Sequence, residues 1–209
     1  MTEELQRQGG AIHGRIVLAH GAGAGMDSRF MQFFAAHLAN NGLETILFNF
    51  PYMQKRSEDG KKRPPDRAPK LMDHFRDVLE GINRDAPLFI GGKSMGGRMA
   101  SMLLAEDGAL ADGLLLLGYP FHPPGKAEKL RTGHFAEINV PTHIFQGERD
   151  TFGGRPFVER LSLPKNFHLH WVNDGDHGFK PRKKSGFTEE GNWATTVTAI
   201  SDVCKNYSV

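Results

Sequence analysis

Gly92-Lys93-Ser94-Met95-Gly96 constrains this chain more than any other segment. It follows the apolar run Pro87-Leu88-Phe89-Ile90-Gly91 and precedes Gly97-Arg98-Met99-Ala100-Ser101-Met102-Leu103-Leu104, which reads as helix. Gly-x-Ser-x-Gly between a strand and a helix describes a nucleophile elbow. On so sharp a turn, side chains two residues to either side of the serine would collide, which calls for glycine at 92 and 96. The turn lifts the hydroxyl clear of the sheet and sets the positive end of the next helix beneath it. As a bare pattern the match is weak; its force comes from the strand before it and the helix after it.

With 209 residues the chain can bury a substantial core, and it divides into an N-terminal segment, 1–14, and one domain, 15–209. A net charge of +2, with 39% hydrophobic and 24% charged residues, gives no general case for nucleic-acid binding. The single cysteine, Cys204, excludes an intramolecular disulfide and is compatible with a reducing compartment. No constellation surrounds it that would make its thiol reactive, so it reads as a spectator on the last helix. The first eight residues lack the apolar core of a signal peptide, and the longest aliphatic run, Leu114 to Leu117, is far too short to cross a bilayer. The chain therefore reads as cytoplasmic, with no membrane partner.

Apolar runs and helical periodicity alternate along the sequence. Ile16 to Ala19, Thr45 to Phe50, Leu88 onward, Gly113 to Gly118, Thr142 to Gln146 and Phe167 to Val172 read as strands. Helices are expected over about 28–41 with Ser28 as N-cap and Gly42 closing it, about 68–83, from the elbow to about 106, and about 192–206. Several strands are continuous apolar runs, as in a parallel sheet covered on both faces. The predicted architecture is a three-layer α/β sandwich with a mostly parallel sheet of about six strands. Ligand sites in such sheets lie beyond the carboxyl ends of the strands. His20, Ser94, the Asp150 loop and the His177 loop all fall at that edge.

A serine hydroxyl needs a neighbouring base, which is held in turn by a third group. Gln146-Gly147-Glu148-Arg149-Asp150 follows one strand, and Asp174-Gly175-Asp176-His177-Gly178-Phe179 follows the next. In this assignment His177 takes the Ser94 proton, and Asp150 orients the imidazole. Glu148, Asp174 and Asp176 compete with Asp150. Against His177 stand His168 and His170, which share one side of a strand, and the loop histidines His20, His122 and His134. The backbone N–H of Met95 and one from His20-Gly21-Ala22-Gly23-Ala24-Gly25, at Ala22, would serve a tetrahedral oxyanion. That glycine-rich loop lacks the G-x-G-x-x-G spacing, and no acidic residue ends the second strand, which argues against nucleotide binding. No His/Cys/carboxylate cluster has metal-ligand spacing, so neither metal nor cofactor is expected.

These residues resemble the α/β-hydrolase superfamily, and in particular its dienelactone-hydrolase-like branch. The resemblance rests on His20-Gly21-Ala22-Gly23, Gly92 to Gly97, Gly147 to Asp150, and Asp176-His177-Gly178-Phe179. With Gly118 to Lys126 the chain is similar to a small subfamily of predicted hydrolases, over about Arg15 to the C-terminus. It implies the α/β-hydrolase fold and the chain order Ser, acid, His. Two departures stand out. The roughly fourteen residues before Ile16 have almost no room for the family's first two strands, so that sheet edge should be trimmed. About two dozen residues separate Gly118 from Thr142, too few for an inserted lid domain.

Without a lid the site should be an open cleft, lined by Tyr52, Met53, Tyr119, Phe121, Phe152 and Phe179, unless these aromatics pack as ordinary core. Residues 54–70 form a charged loop with seven basic and three acidic residues, and Lys180, Arg182, Lys183 and Lys184 form a second basic cluster. Both could steer an anionic ester or an acidic partner, or be solvated loops. The leading reading is a serine hydrolase, carboxylesterase- or thioesterase-like, acting on a small ester or thioester through an acyl-enzyme. The competing readings are a small-peptide serine peptidase and an inactive hydrolase-fold module that binds a partner through its basic loops.

Overall fold

The computed structural model of the chain describes residues 5–207; residues 1–4, the start of the N-terminal segment, and residues 208–209 lie outside the described residues. Seven strands form one sheet: β1 (Gln6–Gln8), β2 (Arg15–Ala19), β3 (Glu44–Phe48), β4 (Leu88–Lys93), β5 (Gly113–Leu117), β6 (Thr142–Gly147) and β7 (Phe167–Val172). Their spatial order is β1-β3-β2-β4-β5-β6-β7, and only β1 runs antiparallel to its neighbour.

Alternate residues of each strand point to opposite faces, and here both faces are covered. Val17, Ala19, Ile90, Leu114, Leu116 and Ile144 pack beneath α3 (Ala68–Glu80) and α4 (Met95–Glu106). Ile16, Leu18, Phe89, Leu115, Leu117 and Phe145 pack beneath α1 (Arg29–Asn40) and α6 (Glu189–Lys205). Burial on both sides explains why β2 and β5 read as unbroken apolar runs. The result is the three-layer α/β-hydrolase fold.

Helix ends follow local chemistry. Gly42 closes α1 in a Schellman arrangement, with Gly42 N–H on the Ala39 carbonyl at 3.0 Å and Leu43 N–H on that of Leu38 at 3.3 Å. Ser28 holds the N-cap position of α1, but its side chain makes no capping bond. Thr188 caps α6, accepting from Gly191 N–H at 3.0 Å, so this helix starts at Glu189, earlier than its apolar pattern.

The structure adds elements that carry no apolar pattern and corrects one expectation. The sheet of about six strands gains a seventh at its edge, because polar Gln6-Arg7-Gln8 joins β3 through backbone pairing and the Arg7–Glu44 ion pair, without an apolar pattern to announce it. Residues 54–59 are not loop: they belong to α2 (Pro51–Asp59), which opens with Pro51 at its first turn and ends on left-handed Gly60. Tyr52 and Met53 in its first turn are buried, and beyond them every residue is polar or charged, so no apolar stripe marked it. The one-turn α5 (Arg155–Val158) follows Gly154 in the loop after β6. Between β5 and β6, only a 3-10 turn at Phe135–Glu137 interrupts the loop, and no lid is inserted among the described residues.

Candidate active site

The chain leaves β2 on one side for β3 and returns on its other side as β4. A cleft therefore opens between the loops that follow β2 and β4, at the switch point of the sheet. Ser94 sits there, between β4 and α4, with φ 51° and ψ −111°, a conformation that side chains rarely adopt. Its N–H extends the ladder to the Leu117 carbonyl at 2.9 Å. A Cβ on Gly92 or on Gly96 would lie 2.3 Å from the Ala19 carbonyl oxygen, so the elbow presses against β2 and tolerates only glycine at both positions.

His177 reaches this serine from the loop after β7. Its Nε2 lies 2.9 Å from Ser94 Oγ, and its Nδ1 lies 2.8 Å from Asp150 Oδ2. The Asp150 side chain is fully buried. It also accepts from Gln146 Nε2 at 3.0 Å and from Phe152 N–H at 2.8 Å. A carboxylate so oriented favours Nδ1–H on His177, which leaves Nε2 free to accept from the serine hydroxyl. Gln146 is a site residue that sequence reading missed: it ties Asp150 to the Tyr119 carbonyl and the Gly153 carbonyl. A glutamine at a strand end carries no signal for such a role.

The rival carboxylates are occupied elsewhere. Asp174 binds Arg182 and Arg149, and those contacts hold its carboxyl below the usual carboxylate range, the Arg182 hydrogen bond foremost. Asp176 accepts from Gly178 and Lys180 N–H groups within its own turn. Glu148 accepts from Asp174 N–H and pairs with Arg155. Among the histidines, His168 and His170 stack with His143 on β6 and β7, far from the elbow in the sheet order. His122 and His134 stay in the β5–β6 loop, where His134 bonds Ser101. His20 is buried beneath the β2 loop. Its Nδ1 meets the Gly21 carbonyl at 2.7 Å, and its Nε2 accepts from Phe50 N–H at 3.1 Å.

The His177 loop is braced from α6: Asn192 Nδ2 bonds the carbonyls of Asn173 and Phe179, and Trp193 Nε1 bonds that of Gly178 at 2.9 Å. Lys93 Nζ donates to the His177 carbonyl and lies beside the rings of Phe30 and Phe179. Burial pushes the Lys93 ammonium down to about 8, against the pull of Asp150 and Asp176.

The cleft over Ser94 has a volume of about 630 Å³. Ala22 and Met95 both line it. Met95 is the first residue of α4, where an N–H has no intrahelical acceptor. One wall is apolar, with Phe30, Met31 and Trp193; another carries Arg98, Pro120 and Arg131.

Of the six side chains expected to line the cleft, only Phe152 does so, its ring 4.3 Å from that of His177. Tyr52, Met53, Tyr119, Phe121 and Phe179 are all at most 4% exposed. They buttress the site from beneath. The Tyr52 hydroxyl donates to the Ala22 carbonyl at 3.0 Å, and that of Tyr119 to the Arg131 carbonyl at 2.6 Å. Phe121 packs under Gly153, and Phe179 against Phe30 and Phe34. Met53 borders a smaller neighbouring hollow with Asp27 and Arg56.

The two basic segments do not line the main cleft. Residues 54–59 run along α2, where Asp59 pairs with Arg63; Lys183 and Lys184 border a separate hollow with Arg182. Cys204 is on the buried face of α6, and burial pushes its thiol up to about 12, which leaves it unreactive. Among the described residues, no group of His, Cys, Asp or Glu could hold a metal ion, and no helix is long and apolar enough to cross a membrane.

A family model described as an alpha/beta hydrolase domain matches residues 13–205. Among solved structures, a monoacylglycerol lipase from Paleococcus ferrophilus superposes with TM-score 0.70 at 15% identity, covering 100% of each chain. A dienelactone hydrolase from Anabaena variabilis superposes with TM-score 0.70 at 18% identity, over 98% of this chain and 93% of the other. An α/β serine hydrolase without lid from Xanthomonas campestris gives 0.62 at 16% identity, over 96% and 85%. At such identities the likeness is one of fold.

Proposed function

Since this chain belongs to the α/β-hydrolase domain family, we propose that it is a serine hydrolase that cleaves a small ester or thioester through an acyl-enzyme. The observation that carries this reading is the unbroken chain of hydrogen bonds from buried Asp150 through His177 to Ser94. Ser94 Oγ attacks the substrate carbonyl carbon while His177 Nε2 takes the hydroxyl proton. Asp150 keeps the imidazole in the required tautomer and stabilises the imidazolium as it forms. The tetrahedral oxyanion accepts hydrogen bonds from the N–H groups of Met95 and Ala22. Collapse breaks the bond to the leaving group, which departs with the proton from His177. Water, deprotonated by the same imidazole, then releases the acid and restores Ser94.

The cleft volume of about 630 Å³ supports a small substrate, and no inserted domain covers it among the described residues. A fluorophosphonate should label wild type stoichiometrically and leave Ser94→Ala unlabelled. Ester hydrolysis should fall by orders of magnitude in Ser94→Ala and in His177→Ala, because members of such a unit do not act independently. Equal labelling of wild type and Ser94→Ala would remove the assignment.

A further inference from the structure

We propose that Arg98 and Arg131 form a carboxylate-binding subsite in this cleft, so that the substrate is an anionic ester whose carboxylate lies a few bonds from the scissile carbonyl. The inference rests on the serine-hydrolase reading and extends it to the chemical class of the substrate.

The argument starts from what the other arginines do. Arg15, Arg29, Arg63, Arg76, Arg149 and Arg182 each reach a carboxylate. So do Arg7, Arg84 and Arg155, and Arg56 donates to the Gly23 carbonyl. Arg67 and Arg160 are exposed to water. Arg98 and Arg131 alone, among the described residues, are shielded from solvent in part and meet no carboxylate or carbonyl with their guanidinium groups. Arg98 Nε is a buried donor without any partner. Such groups are rare in native proteins, and a bound anion is one of the few things that satisfies them.

The two cations also lie near enough on the cleft lining to act on one another. Burial, and then the neighbouring Arg98 charge, holds the Arg131 guanidinium below its ordinary value. The same Arg98 charge acts on His134, whose imidazole is lowered to about 4, mainly by burial. Like charges held together in a half-buried wall are unfavourable unless an anion joins them. A carboxylate offers about four lone-pair sites and can accept from two guanidinium forks at once.

The backbones of both arginines are fixed before any ligand arrives. Arg98 lies on α4 one turn past Ser94, about 6 Å along the helix axis. Arg131 is pinned through its backbone: its N–H donates to the Phe121 carbonyl at 2.8 Å, and its carbonyl accepts from the Tyr119 hydroxyl at 2.6 Å. The other charges that line the cleft are committed: Glu189 to Arg29, and Lys93 to the His177 carbonyl. The anion therefore has one place to go, and the Phe30–Trp193 wall is left for the apolar part of the molecule.

The test compares esters matched in length on one enzyme preparation. Monoethyl succinate, glutarate and adipate are set against the ethyl esters of butyric, valeric and caproic acids. Acetate esters of hydroxy acids, set against those of plain alcohols, place the carboxylate in the leaving group instead. In one of the two arms, wild type should prefer the anionic ester in kcat/KM by at least about tenfold, the size expected of hydrogen bonds to a charged group. Arg98→Met and Arg131→Met should each collapse that ratio, mainly by raising KM for the anionic ester. Arg131→Lys should restore part of it. Because the ratio is taken on one preparation, a partly folded variant cancels. Should a variant fail to fold, wild type alone decides: glutarate should slow labelling of Ser94 by an uncharged fluorophosphonate, and glutaramide should not. Labelling that glutarate leaves untouched, with equal rates on charged and neutral esters, overturns the subsite and leaves the hydrolase standing. Absence of both labelling and hydrolysis overturns the hydrolase reading, and the subsite falls with it.

Discussion

Asp150 Oδ2 faces two donors, Gln146 Nε2 and His177 Nδ1, while Oδ1 takes the Phe152 N–H. Every lone pair that matters for orienting the imidazole is thus directed by neighbours. In Asp150→Asn the side-chain amide can present a donor to His177 Nδ1, which drives the ring to its other tautomer and blocks proton uptake from Ser94. Hydrolysis should fall by about 10⁴-fold with little change in fold; a loss below about tenfold, with circular dichroism unaltered, would show that another group orients the ring. At this scale the sequence was legible where residue type and loop position suffice. Ser94 and His177 stood out on those grounds. Asp150 did not stand apart from Glu148, Asp174 and Asp176 by type; the structure separates them because each rival has its own cation or turn to serve.

At the scale of elements, α4 and β2 meet with no room to spare, the Gly96 position lying 2.3 Å, at Cβ distance, from the Ala19 carbonyl oxygen. Gly96→Ala cannot be absorbed by a flexible side chain, because the obstacle is backbone. It should destabilise the protein by at least about 1–3 kcal/mol, the range for overpacking, read as a lowered urea midpoint with an unchanged slope. Wild-type stability in this variant would mean that the elbow can move away from β2. Elements that bury an apolar pattern were readable from the chain, as β2, β5 and α1 illustrate. β1 and α2 were not. The first is held by backbone pairing to β3, and the second is anchored by Tyr52 and Met53 while the residues after them are polar or charged.

For the molecule as a whole, buried imidazoles make acid the natural denaturant. His20 is fully buried, and burial lowers its imidazole from 6.5 to about 4. A depressed value means that the unfolded chain binds this proton first. The stability it contributes is complete above pH 6.5 and is lost as the pH falls toward 4. Protonation would also place an N–H against the Phe50 N–H that Nε2 now accepts. His134 and His143 shift in the same direction, mainly through burial, but both are only half-buried and add less. In urea titrations at pH 7 and pH 4.5, His20→Gln should narrow the gap between the two stabilities, by no more than about 3 kcal/mol. Equal gaps for wild type and variant would show that His20 is not part of the acid response.

By itself the amino-acid order determined the layered fold, the elbow and the strand ends that carry Ser94, Asp150 and His177, because glycine requirements, apolar periodicity and strand-to-loop transitions act over a few neighbouring residues. Only the packed molecule decided which way side chains at those strand ends turn. Tyr52, Tyr119 and Phe179 turn inward because α2 and the loops after β5 and β7 fold over the sheet and bury them, whereas Arg98 and Arg131, distant in sequence, come to line the same cleft with no carboxylate on their guanidinium groups. Such a meeting depends on how α4 and the β5–β6 loop sit on the sheet, and no local pattern in the chain encodes it.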